Sequence, residues 1–167
     1  MKRIEHIIRN DAVINKLANT LVDAYRSQIN KDCGYDTDLS NNIKSEVLYQ
    51  GNKFEIILDL PDYWYYVENG RGPGKQPPVK NIVQWMKKRN IVPRASSSGK
   101  VPSLIQTAYA ISYSISILGT EGKHSFAKVE TSSTAENILN LIKDRISTLV
   151  QEEVEKETSK LQDFFTK

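Results

Sequence analysis

The first pattern along the chain is helical. Over residues 10–31, apolar side chains recur at steps of three and four, which predicts an amphipathic helix with Asn10 or Asp11 as its N-cap. Residues 32–38 break this pattern and are rich in turn-forming residue types. We therefore expect a long helix that is followed by a turn.

From Ile43 the apolar pattern changes to a period of two, and after Gly51-Asn52 it resumes as far as Leu60. Because Gly and Asn tolerate the positive φ of a two-residue turn, this pattern predicts a β-hairpin. Pro61 ends the second strand, since it has no amide hydrogen for a ladder. Asp62 is a candidate cap for a short helical turn that carries four aromatic residues, Tyr63, Trp64, Tyr65 and Tyr66.

The middle of the chain alternates between helical patterns and connectors. A helix entered through a proline is predicted over residues 78–89, and another helix is predicted over 103–118. The connector between them covers residues 91–100, of which 95–99 are expected to be the most mobile part. Residues 119–132 are predicted to be an exposed polar hairpin or loop.

The last predicted helix is the longest. Ser133 and Glu136 resemble a capping box, and the apolar pattern persists to Val154 before it returns at Leu161, Phe164 and Phe165. Thirty helical residues span roughly 45 Å, so the C-terminal half is expected to pack outside its own core or to stand in solvent. The sequence thus predicts an α+β domain over residues 1–132, which the helix over 133–167 extends.

Composition narrows the functional classes. The 167 residues are 39% hydrophobic and 26% charged, as in ordinary globular proteins, and contain a single cysteine, Cys33. An internal disulfide is therefore excluded. The longest apolar region, residues 108–118, is interrupted by polar side chains, so neither a secretory signal nor a membrane span is expected. We expect a soluble protein that is made in a cytoplasm.

Charge is distributed unevenly along the chain. The formal net charge is +3, yet no Asp or Glu occurs between Asn69 and Thr120. That stretch contains eight basic residues: Arg71, Lys75, Lys80, Lys87, Lys88, Arg89, Arg94 and Lys100. The C-terminal helix reverses the sign with a cluster of acids: Glu152, Glu153, Glu155 and Glu157. Such polarity suggests a nucleic-acid surface or charged neighbours in an assembly, and a basic surface without a specific partner remains open.

The most informative stretch covers residues 65–78 and reads YYVENGRGPGKQPP; it is followed by Ile82, Trp85 and the KKRNI segment. It resembles a signature of phage head–tail joining and tail-completion proteins, in which an N-terminal helix and a β-hairpin precede an aromatic-rich YxxYVExG element and a Gly/Pro loop. The variant found in phages and prophages of gut bacteria is particularly similar, with its later GTxG element at residues 119–122. Asn90 stands where that variant often has glycine.

The specific part of this resemblance covers about twenty residues, and the resemblance does not include the acidic C-terminal helix. It implies a ring-forming neck connector between the portal and the tail of a virion, which supports tail attachment and genome retention or passage without catalysis or a cofactor. Contacts with other subunits of the ring, the portal and other tail or neck proteins are implied for ten residues: Tyr66, Glu68, Gly70, Arg71, Gly72, Pro73, Gly74, Lys75, Pro77 and Pro78. Such a protein is made in the cytoplasm of the bacterial host, contacts no membrane and is located at the head–tail junction.

The alternative is a nucleic-acid-binding module that uses the basic segment over residues 71–100. Its candidate contacts with DNA or with an acidic surface are four basic side chains: Lys87, Lys88, Arg89 and Arg94. The same residues also fit the solvated side of a helix whose other side is apolar. The aromatic cluster likewise has two interpretations, a surface on which bases stack or a part of the core. Core packing is favoured because Trp64 and Val67 would share a helical face.

The sequence contains only weak candidates for a catalytic group of residues. Gly70, Gly72 and Gly74 superficially resemble a phosphate cradle, but Lys75 is followed by Gln-Pro-Pro, and prolines lack the amide donors that hold phosphate. Two histidines and one cysteine have no spacing that would make a tetrahedral metal site. An unrecognised enzyme is the third hypothesis, without an identifiable nucleophile or acid–base pair.

Overall fold

A computed structural model of the protein describes residues 2–50, 53–95 and 99–165. The helices are α1 Lys2–Asn10, α2 Ala12–Cys33, α3 Asp38–Asn41, α4 Trp64–Asn69, α5 Val79–Lys88, α6 Leu104–Leu118, α7 Ser125–Glu130 and α8 Ser133–Phe165. The strands are β1 Lys44–Gln50, β2 Lys53–Asp59, β3 Gly70–Arg71 and β4 Thr120–Glu121. The predicted α+β fold, with its antiparallel hairpin and long C-terminal helix, is confirmed.

The chain forms two compact units. Unit 1 combines Met1–Trp64 with Lys123–Lys167, and unit 2 is the intervening segment Tyr65–Gly122. The sequence predicts a domain over residues 1–132 that the helix over 133–167 extends, and in the structure α8 packs on α1, α2 and α7. The sequence does not reveal that residues 65–122 form a unit of their own.

Helix α2 is the centre of unit 1. Asp11 is its N-cap, as predicted, and accepts hydrogen bonds from the amides of Val13 (3.0 Å) and Ile14 (2.9 Å). The guanidinium of Arg145 in α8 donates a hydrogen bond of 2.8 Å to the same carboxylate, and this hydrogen bond lowers the pKa of Asp11. The start of α2 is thereby fixed to α8. The buried face of α2 consists of six side chains: Ile14, Ala18, Leu21, Val22, Tyr25 and Ile29.

The sequence pattern did not predict α1. Asp11 separates it from α2, and α1 buries Ile8 completely while it packs on β1 and α8. The hairpin itself is confirmed by the β1–β2 register, which runs from Lys44 opposite Asp59 to Gln50 opposite Lys53. The predicted turn at Gly51-Asn52 lies outside the described residues.

The prediction of an exposed polar hairpin or loop over residues 119–132 is wrong for the second half of that segment, whereas Thr120–Glu121 is exposed and forms a strand. The second half forms α7, whose Ser125, Phe126 and Val129 are buried. The Phe126 ring lies 5.2 Å from the ring of Tyr25, so α7 packs on α2 through a contact between residues that are distant in sequence. Six residues with two large apolar side chains give too short a pattern to reveal this packing.

A polar cluster accompanies the packing of α7. The Asp32 carboxylate accepts hydrogen bonds from the Ser125 hydroxyl (2.7 Å), from Lys128 Nζ (2.9 Å) and from the Gln28 amide (2.9 Å). Burial of the carboxyl opposes its ionisation, but these hydrogen bonds outweigh that effect and lower the pKa of Asp32 to about 2. The end of α2 is therefore linked to α7 by a charge-assisted cluster.

The predicted capping box of the last helix is also wrong in its register. Ser132, not Ser133, caps α8, because the Ser132 hydroxyl accepts a hydrogen bond from the amide of Ala135 at 3.2 Å. Both Ser133 and Glu136 lie inside the helix. Consecutive serines give the same local signal, so the sequence does not distinguish the two registers.

In unit 2, α5 and α6 pack on each other. Their observed ends agree closely with the predicted helices over 78–89 and 103–118. Ser103 caps α6 in a reciprocal capping box with Gln106. The buried side chains of this pair are Met86, Ala108 and Ser112. Of the segment predicted to be mobile, residues 96–98 lie outside the described ranges.

Candidate interaction surface

The Gly/Pro loop, residues 70–78, begins in a very short antiparallel pairing. Gly70 lies opposite Glu121 and Arg71 opposite Thr120, so β3 and β4 fasten the start of the loop to the segment that follows α6. The predicted Gly-Thr-x-Gly element at residues 119–122 thus lies beside the predicted Gly-Arg element. These two parts of the sequence signature are brought together by the fold.

Glycine is required where these two segments meet. Gly70 adopts a φ of +77°, and a Cβ there would overlap the carbonyl oxygen of Thr120 and lie 2.6 Å from the amide nitrogen of Gly122. A Cβ on Gly122 would lie 2.6 Å from the carbonyl carbon of Asn69. The backbones therefore approach more closely than any side-chain-bearing residue allows.

Hydrogen bonds hold the rest of the loop against α6. The amide of Gly74 donates to the Ser116 carbonyl at 2.8 Å, and the buried Ser112 hydroxyl donates to the Pro77 carbonyl at 2.5 Å. The guanidinium of Arg71 donates to the Lys75 carbonyl within the loop. Pro73, Pro77 and Pro78 restrict the backbone further. The loop is consequently fixed at its start, middle and end.

The predicted contact residues do not all lie on one surface. Gly72, Pro73, Gly74, Lys75 and Pro78 are exposed, as is the side chain of Tyr66. Arg71 and Pro77 are half-buried. Glu68 is only 7% exposed and Gly70 is buried, so these two residues are internal to the protein. Their place in the signature is explained by the local backbone packing and not by an accessible contact.

The predicted basic contacts lie at the end of α5 and beyond it. Lys87 and Lys88 are exposed in the last turn, Arg94 is exposed in the following connector, and Arg89 is half-buried. The guanidinium carbon of Arg89 is 5.7 Å from the centroid of the Trp85 ring, which is within cation–π range. The helix has the amphipathic character that was expected, with Met86 fully buried on its other side.

The aromatic cluster divides into two parts. Trp64 packs edge-on against Phe126, with 5.6 Å between ring centroids, and Val67 is half-buried. Tyr65 and Tyr66 are exposed, and their rings meet edge to face at 6.1 Å. The expectation of core packing therefore holds for Trp64 but not for the exposed Tyr63, Tyr65 and Tyr66.

Sequence reasoning missed an apolar face on α6. This α6 face consists of four side chains spaced by four residues and more than half exposed: Ile105, Tyr109, Tyr113 and Ile117. The periodicity that predicts α6 lies on another side of the helix and consists of Leu104, Ala108, Ile111, Ile115 and Leu118. Of these, Ala108 is buried, whereas Leu118 is exposed. The sequence did contain a signal for the α6 face. No charged residue occurs in α6, so the helix is apolar on more than its packed side.

The end of α8 is exposed, in agreement with the expectation for its C-terminal half. We call residues 154–165 the C-terminal tail; every side chain in it is exposed. Arg3 of α1 pairs with Glu153 at 2.9 Å and with Glu157 at 3.0 Å, and these ion pairs hold the helix where the tail begins. Beyond them, Leu161, Phe164 and Phe165 present apolar surface.

The described residues contain no group of three or more His, Cys, Asp or Glu side chains that could hold a metal ion. Nor does any helix within them have the length and apolar character needed to cross a membrane. One cleft in unit 1, of about 540 Å³, is lined by Tyr49, Phe54, Ile146 and Val150, together with polar side chains of α8. It holds no arrangement of an acid and a base.

Comparison of the chain with protein-family models, with curated proteins and with solved structures gives no match.

Proposed function

We propose that the protein is a structural subunit of the head-to-tail connector of a tailed phage and acts as one copy in a ring at the portal–tail junction. The order of elements supports this proposal, because a helix, an antiparallel hairpin, an aromatic-rich helix and a Gly/Pro loop follow one another as in the proteins that the sequence resembles. In this role the protein performs no catalysis and needs no cofactor.

The observation that carries the proposal is the combination of order and exposure in the Gly/Pro loop. Backbone pairing fixes its start, Ser116 and Ser112 hold its middle and end, and yet residues 72–75 are exposed. A preordered loop loses little conformational entropy when a neighbour docks on it. Lys75 at its tip offers a positive charge to an acidic surface of the next subunit or to DNA in the channel.

Single-particle imaging of virions of the encoding phage tests the proposal. We expect a closed ring of this chain next to the portal, with residues 72–75 at a contact between subunits. Absence of the chain from purified particles would overturn the proposal. A ring whose loops all face solvent would retain the connector role but reject the loop as its contact.

A charge reversal with a matched control gives the second test. Lys75→Glu places a negative charge at the exposed loop, whereas Lys80→Glu makes the same change on the exposed side of α5. We expect Lys75→Glu to reduce tail attachment and infective titre about tenfold or more, and Lys80→Glu to leave both near wild type. Equal titres for the two variants would reject the contact.

The alternative function is nucleic-acid binding by the segment over residues 71–100. It is favoured by the exposure of Lys87, Lys88 and Arg94 in a stretch without acids. Phosphate contacts release counterions, so affinity for DNA should fall steeply with salt. A variant with alanine at Lys87, Lys88, Arg89 and Arg94 should then lose affinity and salt dependence. A variant with alanine at four exposed lysines of unit 1, namely Lys16, Lys31, Lys44 and Lys53, serves as the control. If both variants bind DNA equally, this alternative fails.

A further inference from the structure

The hairpin of β1 and β2 is a two-stranded sheet, so each strand has one outer edge. On the β1 side, α1 and α2 pack on the strand, and Arg9 of α1 pairs with Glu46. On the β2 side, no residue of the described ranges other than those of β1 makes a hydrogen bond with the strand. Because an antiparallel strand turns the N–H and C=O groups of alternate residues away from its partner, the outer edge of β2 is a row of donors and acceptors open to another strand.

The outer edge of β2 lacks the features that usually prevent pairing between edges. Natural edge strands are often short, bulged, interrupted by proline or covered by another element. β2 contains seven residues, pairs with β1 without a bulge from Lys53 to Asp59, and is followed by proline only at Pro61. Its side chains alternate regularly between exposed and half-buried positions, and Ile57 on the exposed face is 45% exposed. The strand is therefore suited to pair with a further strand.

A second copy of β2 matches this edge when the two strands run antiparallel and meet at Ile56. Phe54 of one strand then lies opposite Leu58 of the other, and the two Ile56 side chains lie opposite each other. These three side chains are half-buried, and Ile56 lies opposite the buried Val47 within its own hairpin. The pairing thus joins the more buried faces of both strands. Since it joins only positions that differ by an even number of residues, outward-directed backbone groups meet outward-directed groups.

Charge distinguishes this register from its neighbours. Pairing about Ile56 places Lys53 opposite Asp59 of the other copy at both ends of the contact. Pairing about Glu55 would instead place the two Glu55 carboxylates opposite each other, and pairing about Ile57 would place Glu55 opposite Asp59. A shift by a single position would set the half-buried face of one strand against the exposed face of the other. The sequence of β2 is therefore complementary to itself in one register.

We infer that two copies of the protein associate through the outer edges of β2 and form a continuous four-stranded antiparallel sheet in the order β1-β2-β2-β1, with a two-fold axis at Ile56. Such a contact uses the same surface on both copies and is complete in a dimer. The inference goes beyond the proposed function and does not rest on it. The hairpin belongs to unit 1, whereas the Gly/Pro loop proposed as the ring contact belongs to unit 2.

Charge reversal in the purified chain tests the inference. Lys53→Glu places a carboxylate opposite Asp59 at both ends of the dimer, and Asp59→Lys places an ammonium group opposite Lys53. Each variant alone should dimerise about tenfold or more weakly than wild type in sedimentation experiments. An equimolar mixture of the two should recover wild-type affinity, because a mixed dimer has opposite charges at both ends. Lys16→Glu makes the same change of charge at an exposed position of α2 and should dimerise like wild type.

The mixture makes each outcome informative. A wild-type chain that remains monomeric overturns the inference, and so does a dimer that Lys53→Glu leaves unchanged. Weak association of both variants without recovery in the mixture also overturns it, because the loss would then not come from the pairs of Lys53 with Asp59. Recovery supports the proposed register and requires that the hairpins of both variants are folded. None of these results depends on whether the chain is found in virions.

Disulfide trapping provides an independent measure of the register. In a Cys33→Ala background, one protein carries Glu55→Cys and the other carries Ile57→Cys, and both positions are exposed. These positions lie directly opposite each other in the proposed dimer, with Cα atoms about 4.5–5.5 Å apart, a distance that a disulfide spans. We expect the mixed disulfide in preference to either symmetric link, whose positions are diagonal and about 7–8 Å apart. Symmetric links that form as readily as the mixed one would contradict the register.

Discussion

Unit 1 and unit 2 differ in where they keep their apolar side chains. In unit 1 the buried side chains form a core between α1, α2, the hairpin, α7 and α8, with Ile8, Ile14 and Ile142 fully enclosed. Among the described residues of unit 2, only Met86 and Ala108 are buried apolar side chains. Many of its large apolar side chains are exposed instead, including the α6 face, Tyr65 and Tyr66.

The difference indicates that the two units are stabilised in different ways. Unit 1 has the apolar burial that stabilises a fold, whereas unit 2 depends more on close backbone approaches and on hydrogen bonds between its loop and α6. Unit 2 contains eight basic and two acidic residues, whereas the rest of the chain contains 15 basic and 18 acidic residues and is net negative. We therefore regard unit 1 as the unit with the larger apolar core and unit 2 as the unit that leaves more of its large apolar side chains exposed.

The strongest test of this division removes apolar volume from unit 1. Ile142→Ala leaves a cavity at a side chain that is fully buried, and we expect it to lower the free energy of unfolding by about 3 kcal/mol. Chemical denaturation measures this change. The neighbouring Leu141 is 53% exposed, so Leu141→Ala should change stability by less than about 0.5 kcal/mol. Similar losses in the two variants would show that unit 1 has no close-packed core at α8.

A substitution at the β3–β4 junction should damage unit 2 in particular. Gly70→Ala forces a Cβ against Thr120 and Gly122 at a positive φ, which we expect to cost about 2 kcal/mol. Amide exchange of α5 and α6 should accelerate while that of α2 is retained. Gly72→Ala is the control, because a Cβ there has nothing within 4 Å. Equal acceleration in α2 would contradict the independence of the two units.

The polar cluster at Asp32 predicts a pH dependence in unit 1. Because its pKa is about 2 when folded and about 4 when unfolded, its contribution is fully present above pH 4 and is lost as the pH falls towards 2. Asp32→Asn should therefore destabilise the protein by about 1–2 kcal/mol at neutral pH, and the difference from wild type should vanish near pH 2. Asp144→Asn, at an exposed position of α8, is the control. A difference that stays constant down to pH 2 would exclude the charge as its cause.

The smallest expected effect concerns the loop itself. Ser112→Ala removes the hydroxyl that donates to the Pro77 carbonyl, at an expected cost of about 1 kcal/mol that is confined to unit 2. Faster amide exchange at Gly74, Lys75, Gln76 and Val79 would reveal the loosened loop. Ser114→Ala, two residues further along α6 at an exposed position, should leave exchange unchanged. If Ser112→Ala behaves like Ser114→Ala, the hydrogen bond does not hold the loop.

Local signals in the sequence predict much of this fold. Periodicity places α2, the hairpin, α5 and α6 to within a few residues, and Asp11, Pro78 and Gly119 lie at the helix ends where their chemistry puts them. These features depend on neighbours in sequence. The Gly/Pro loop is also evident from composition, although its ties to Ser112 and Ser116 are not.

Features that depend on distant neighbours were not predictable in the same way. Phe126 becomes buried because it meets Tyr25 and Trp64, and Glu68 becomes buried near a backbone crossing that involves Gly122. The α6 face is a different case, because periodicity identified one apolar side of a helix that has two. A pattern on one chain cannot distinguish the side that packs internally from the side left for a partner.

The pairing of β3 with β4 has a consequence for how the chain is built. It brings residues 68–70 and 120–122 side by side, so a segment of more than fifty residues starts and finishes at nearly the same point. A long insertion whose ends coincide adds little closure entropy to the host chain, because that cost grows only with the logarithm of loop length. A change in the length of unit 2 should therefore cost the rest of the chain little closure entropy.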